Sequence, residues 1–295
     1  MAKIEFNREK CIKCGACVKD CITYSIEQDN EGFAKLSTEE ENCSNCISCQ
    51  HCFAICPTGA ITFNNKTPQK SFMPKFPESD EILNLIRSRK SIRQFKNEEL
   101  SQEEWDAIKE MLPYIPTGCN FNSLHFSFIE SKNAMDEIRE YVNSKILKLI
   151  SNKFTKKYAG KFIKFKKAFE NKEDIIFRNA PHMIIVSSHI HAPCANVDPI
   201  IALSYIELFA QSMNLGTCWC GFAQACFKLL PKLANMVEIP DGYKPVYVML
   251  IGRSAVKYQR TTLPESFPIS EIKNIKDFKL NWSERLRRIL LNFIR

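Results

Sequence analysis

Apolar residues recur with a helical period over 80–89 and over 101–112, and the second stretch opens with the capping box Ser101-x-x-Glu104. A short apolar run, His125 to Ile129, then predicts a strand, and helical, lysine-rich sequence follows over 134–169. A second strand is expected at Met183 to Ser188, a buried helix at Pro199 to Met213 with Asp198 as its N-cap, and a third strand at Lys244 to Gly252. Helices alternating with short apolar strands indicate an α+β or α/β sandwich. From Trp282 to Arg295, arginines 285, 287, 288 and 295 oppose Leu286, Ile289, Leu290, Phe293 and Ile294, the pattern of an amphipathic helix packed on a partner subunit. The apolar run Val246 to Ile251 is far shorter than the roughly 20 residues that span a bilayer.

The first 66 residues follow another rule. Nine of the 14 cysteines fall between Cys11 and Cys56, and Cys11-x2-Cys14-x2-Cys17-x3-Cys21 recurs as Cys46-x2-Cys49-x2-Cys52-x3-Cys56-Pro57. Four thiolates at this spacing suit a cubane iron–sulfur cluster, with three on one tight loop and the fourth directed at the other cluster. Cys11, Cys14, Cys17 and Cys56 are therefore expected to hold one cluster, and Cys46, Cys49, Cys52 and Cys21 the second. Zinc is the alternative for any Cys-x2-Cys pair, but a zinc knuckle has no use for a third cysteine two residues on in both copies. A register starting at Cys43 would leave two residues between Cys49 and Cys52 where the pattern asks for three, so Cys43 is spare. Residues 1–66 resemble a bacterial ferredoxin with two 4Fe–4S clusters, the ending Cys56-Pro57-Thr58-Gly59-Ala60-Ile61 being characteristic. Ile22 stands where that family has proline.

Charge separates the halves. Residues 1–70 carry eight Lys and Arg against nine Asp and Glu, and the remainder carries 33 against 24. Between them, Pro68, Pro74 and Pro77 mark an extended linker over 67–79. The expected organisation is thus 1–66, a linker over 67–79, and a larger basic part over 80–295. Lys145 to Lys167 holds nine lysines and no acid, with Phe154, Phe162 and Phe165 interleaved. A solvated helix face is the plain reading, and a docking face for an acidic redox protein or a nucleic-acid patch are the sharper ones. No Gly-x-Gly occurs among the nine glycines, which removes the Rossmann fingerprint and the Walker A loop. The charged N-terminus has no signal-peptide pattern, so the thiols read as ligands in a reducing, cytoplasmic setting.

Three short blocks in the larger part carry chemistry. Arg89-Lys90-Ser91-Ile92-Arg93 places three cations and a hydroxyl just past a helix, suited to a phosphate or equally to an exposed basic helix end. Pro116-Thr117-Gly118-Cys119-Asn120 is a turn, and Gly216-Thr217-Cys218-Trp219-Cys220-Gly221-Phe222 reads as a loop whose backbone amides can face a flat ring. Cys218-x-Cys220 is a poor zinc spacing, and His189-x-His191 lacks a third ligand at a familiar spacing.

In order and spacing these blocks resemble the nitroreductase family of FMN flavoproteins over 80–262. The fold class this implies is α+β, a small two-cluster ferredoxin domain followed by a nitroreductase-like α+β sandwich. The resemblance implies that Arg89, Ser91 and Arg93, with Lys90 nearby, bind the FMN phosphate, and that Arg260 closes on it. It implies that Pro116, Thr117, Gly118 and Asn120 reach the flavin ring from a partner subunit, hence a homodimer. It further implies that Cys220 and Gly221, beside Trp219, place a backbone amide at the flavin N5. No catalytic side chain is expected. The combination resembles the ferredoxin–nitroreductase fusions, with an external ferredoxin or flavodoxin as donor and a small electron-poor molecule, a nitroaromatic or quinone, as substrate. An NAD(P)H-dependent enzyme with accessory clusters, and a redox sensor that binds nucleic acid, are the alternatives.

Overall fold

The computed structural model describes residues 3–39 and 44–273, together with Ser283, Leu286 and Arg287. Cys43 and nearly all of the expected C-terminal helix lie outside the described residues. Residues 1–260 form one compact unit and 261–295 another.

The two cysteine motifs fold as copies of each other. Strand β1 (Ile4–Phe6) leads into the first motif, whose third cysteine lies on the five-residue helix α1 (Ala16–Asp20). A hairpin follows, β2 (Ile26–Gln28) paired with β3 (Ala34–Leu36). The second motif has its third cysteine on α2 (His51–Ile55), and β4 (Ile61–Phe63) returns to pair antiparallel with β1. In each copy the same two loop positions take positive φ: Lys13 and Gly15 in the first, Ser48 and Gln50 in the second. This left-handed pair lets a chain of seven residues wrap around one object while three of its side chains point inward.

The larger part is built on a four-stranded antiparallel sheet of order β5-β6-β8-β7, formed by β5 (Leu124–Ile129), β6 (His182–His189), β7 (Gly216–Trp219) and β8 (Tyr243–Gly252). Both faces are covered, so the central strands read as unbroken apolar runs rather than alternating ones. Met183, Ile185, Val248 and Leu250 face one core, and Ile184, Val186, Met249 and Ile251 face the other. The helices are α3 (Ser79–Ser88), α4 (Gln102–Met111), α5 (Lys132–Ser151), α6 (Lys166–Glu170), α7 (Asp198–Ser212), α8 (Gly221–Leu229) and α9 (Lys232–Met236). Helices α4 and α7 pack on one face through Trp105, Ile108, Leu203 and Ile206. On the other, α5 buries Met135, Ile138, Val142, Ile146 and Ile150 at helical spacing, beside Ala223, Cys226 and Phe227 of α8. The capping box of Ser101 and Glu104 forms, each side chain taking the other's backbone amide.

Three expectations need correction. The lysine-rich helix ends at Ser151, and 156–165 continues as 3-10 turns before α6. Lysines at i and i+4 (Lys153, Lys157 and Lys161) repel along a helix, and Gly160 weakens it further. Phe162 is buried there, whereas Phe154 is exposed. Gly216–Trp219 is an edge strand rather than loop, and Gly221 opens α8; four residues are too few for a periodicity to show. Asp198 is not the N-cap of α7, a position Val197 holds, but its first residue, with its carboxylate committed elsewhere.

His182 ties the sheet to α4. Its Nε2 accepts from the Leu100 amide at 3.0 Å and its Nδ1 donates to the Ile129 carbonyl at 3.3 Å, the neutral tautomer in a fully buried place. Burial holds its pKa below the ordinary 6.5. The unfolded chain therefore takes up a proton near pH 6.5 that the folded one refuses, and stability falls as pH drops below that value. The slope should approach about 1.4 kcal/mol per pH unit. Urea unfolding of the anaerobic protein at pH 7.5 and 5.5 should show a steeper loss in wild type than in His182→Gln; equal slopes would remove His182 from the account.

Candidate functional site

The thiol shells come first. One pocket is lined by Cys11, Cys14, Cys17 and Cys56, with Ile12, Lys13 and Gly15 of the same loop. A second is lined by Cys21, Cys46, Cys49 and Cys52, with Ile47 and Ile22. The fourth thiol of each set comes from the other motif, because α1 and α2 lie side by side and each helix carries its last cysteine past its neighbour. Cys17 and Cys52 are buried, and burial pushes both thiols up, Cys52 to about 12. Cys21 and Cys56 are held lower by their neighbours: Thr23 stands 3.5 Å from the first sulfur, and the Ala60 amide donates to the second at 3.2 Å. Four sulfurs around each of two apolar pockets fit a cubane in each. Ile22, in the place of the family's proline, lies at the rim of its pocket and is largely exposed to solvent.

The basic block follows α3 and lies against the edge strand β7. The Ile92 amide donates to the Thr217 carbonyl at 2.8 Å, and Ser91 bridges Thr217. A Cβ on Gly216 would come within 2.7 Å of Ile92 Cγ1, so glycine is what lets the block approach the strand. Arg89 Nη1 meets Glu207 Oε1 of α7 at 3.2 Å, and Thr217 Oγ1 stands 3.4 Å from the same oxygen. Lys90 Nζ lies 5.2 Å from the centre of the Tyr258 ring, which brings the segment ending at the exposed Arg260 alongside the block. Arg93 is exposed.

The strand β7 runs directly into α8 through Cys220. The Cys220 amide donates to the Val248 carbonyl at 2.9 Å, and its sulfur accepts from the Ala223 amide, capping the helix. That commits the amide of Cys220 to the sheet. Gly221, as the first residue of α8, has an amide with no partner within the helix. Of the two residues the sequence singled out, Gly221 is therefore the one whose amide is not committed to the sheet. Trp219 packs edge-on against Tyr247, with ring centres 5.2 Å apart. Burial pushes the Cys220 thiol up to about 11 and raises those of Cys218 and Cys226, so these thiols stay protonated at neutral pH.

The turn at 116–120 is fixed by α7. The Gly118 amide donates to both oxygens of Asp198, at 3.1 Å each, and a Cβ on Gly118 would strike Cys194 Sγ at 2.5 Å. Asp198 and Glu207 are both on α7, and nine residues at ~1.5 Å each separate them by about 13 Å along its axis. The basic block and the turn are thus anchored toward opposite ends of one helix.

Residues 86–253 match the model of the nitroreductase family. The chain belongs to the nitroreductase family. Residues 10–60 match the 4Fe-4S dicluster domain. Among solved structures, a nitroreductase with bound FMN from Desulfitobacterium hafniense is similar at 23% identity and a TM-score of 0.53, over 66% of this chain and 100% of that one. One from Bacteroides fragilis, also with bound FMN, is similar at 19% identity and a TM-score of 0.51, over 65% and 99%. At that identity the likeness shows the nitroreductase fold. Curated relatives match only short stretches of the chain. An archaeal-type glutamate synthase [NADPH] of Thermotoga maritima is 41% identical over 59 residues, 20% of this chain and 11% of that protein. An arsenate respiratory reductase iron-sulfur subunit of Shewanella is 37% identical over 54 residues, 18% and 21%. The chain thus spans only a small part of either. For the nitroreductase-family domain, sequence reasoning missed Glu207 and the real partner of Asp198. Glu207 had a signal, being the lone charge after the first residue of a mostly apolar helix. No helix among the described residues is long and apolar enough to cross a membrane.

Proposed function

We propose that this chain is an iron–sulfur flavoprotein oxidoreductase, in which residues 1–66 receive electrons and the domain from residue 80, after a linker over 67–79, holds FMN. The observation that carries this is the pair of crossed four-thiol pockets in one compact unit with a nitroreductase fold. FMN, when bound, accepts electrons singly and delivers them in pairs, which joins cluster chemistry to the reduction of organic molecules. Arg89, Ser91 and Arg93, with Lys90 and Arg260, would hold the phosphate; the Gly221 amide would face N5, with Trp219 and Cys220 shaping the strand end beside it. Pro116, Thr117, Gly118 and Asn120 would meet the ring of the flavin bound by a second copy. The anchoring of block and turn toward opposite ends of α7 favours this division between protomers, and so a homodimer. The donor we propose is a low-potential ferredoxin or flavodoxin, the substrate a nitroaromatic or quinone, and the setting cytoplasmic.

Anaerobic purification should yield about eight irons and about one FMN per chain. The flavin should bleach faster with reduced ferredoxin than with NADH. Zinc in place of iron, or no FMN after gentle purification, would overturn the reading, and faster bleaching by NADH would replace the donor.

A further inference from the structure

The two clusters are related by a repeat, yet their loops have different surroundings. In the Cys46–Cys49 loop the carbonyl of Ile47 accepts a hydrogen bond from Asn120 Nδ2 at 2.9 Å. Ile47 lines the pocket of Cys21, Cys46, Cys49 and Cys52. Asn120 ends the turn that Asp198 and Cys194 fix onto α7, and it holds a positive φ of 51° there. The equivalent loop of the first motif is turned toward its own domain: the carbonyl of Lys13, next to Cys14, accepts from Gln28 Nε2 at 3.5 Å. Lys13 Nζ and Arg8 lie over the Phe33 ring, at 4.2 and 4.5 Å from its centre. Solvent does not separate the two sites, since Cys14 and Cys49 are both exposed. The contact with the second domain does.

We infer that the two clusters act in a fixed order: the Cys11/Cys14/Cys17/Cys56 site is the inlet, and the Cys21/Cys46/Cys49/Cys52 site is the exit. Asn120 is the positioning residue that joins the exit to the flavin-facing turn. This rests on the flavoprotein reading above. Each passage moves one electron: a one-electron carrier protein is oxidised by one, and the flavin gains one through the exit cluster. Two passages, with two protons from solvent, complete the reduction of the flavin. The Lys13 cation at the inlet suits a carrier with an acidic face, whereas Arg8 beside it is paired with Asp29. Because the turn at 116–120 serves the flavin of the second copy in a homodimer, the exit cluster of one protomer feeds the flavin bound by the other.

The test uses full-length, flavin-loaded protein with one cluster removed at a time. Cys14→Ala keeps the exit cluster and Cys49→Ala keeps the inlet cluster. Each is reduced fully with dithionite, freed of excess and mixed with a quinone, and the return of cluster absorbance is followed after the flavin has been reoxidised. The cluster should reoxidise at least about tenfold faster in Cys14→Ala than in Cys49→Ala. Equal or reversed rates in flavin-loaded protein would overturn the order alone, whereas protein with no flavin would overturn the functional reading and the order with it. Should either variant lose both clusters, Asn120→Asp decides. It replaces the donor with an anion beside Ile47, so redox titration followed by EPR should show one cluster's midpoint fall while the other's stays. Single-cysteine EPR assignments in the repeat's other positions, Cys11→Ser and Cys46→Ser, identify which signal moved. A shift of the signal removed by Cys11→Ser, or of neither, would overturn the proposal.

Discussion

Cys56→Ala should leave a protein with about four irons per chain in place of about eight, and the irons retained should be those bound by the second motif, although Cys56 belongs to that motif by sequence. The reason is the packing of α1 against α2. Cys56 lines the pocket of Cys11, Cys14 and Cys17, and Cys21 lines the pocket of Cys46, Cys49 and Cys52. The readout that separates crossed from local pairing is non-additivity in double variants. In the Cys56→Ala background, adding Cys11→Ala should remove no further iron, because that site is already lost. Adding Cys46→Ala should remove the remainder. Pairing within each motif gives the opposite pattern, so iron content measured on the two double variants decides between them.

What the sequence revealed here was whatever depends on near neighbours or on full burial. The cysteine repeat is legible because three of the four thiols in each set lie within one loop, and the matching positive-φ positions at Lys13, Gly15, Ser48 and Gln50 follow the same local geometry. Strands β6 and β8 are legible because both faces are covered and the apolar run is continuous. The edge strand β7 is not, for it is four residues long and begins with a glycine that exists to admit Ile92. Tertiary partners are invisible for a different reason. Arg89 and Glu207 are 118 residues apart, and Asn120 and Ile47 are 73 apart, so nothing local in either stretch names the other. The consequence for function is specific: the sequence offered candidate residues in each half, while the place where the halves touch came from the fold.

Arg89→Ala should weaken FMN binding about tenfold or more, the loss of one charge-assisted contact to a phosphate, and should also cost the fold about 2 kcal/mol. The second effect comes from Glu207, whose side chain is only 9% exposed. Without the guanidinium, its carboxylate keeps Thr217 Oγ1 at 3.4 Å as its remaining polar partner. The cost stays below that of a wholly buried pair because the Arg89 side chain is 36% exposed and partly screened. The two roles of Arg89 separate in a double variant. Glu207→Gln in the Arg89→Ala background removes the stranded charge, so urea unfolding should show stability recovering by about 1 kcal/mol or more beyond the sum of the single effects. FMN affinity, followed by flavin fluorescence on titration, should not recover with it, because a glutamine at 207 supplies no cation to the phosphate. If affinity returns together with stability, Arg89 serves only to neutralise Glu207, and the phosphate must be held by Lys90, Ser91, Arg93 and Arg260 without it.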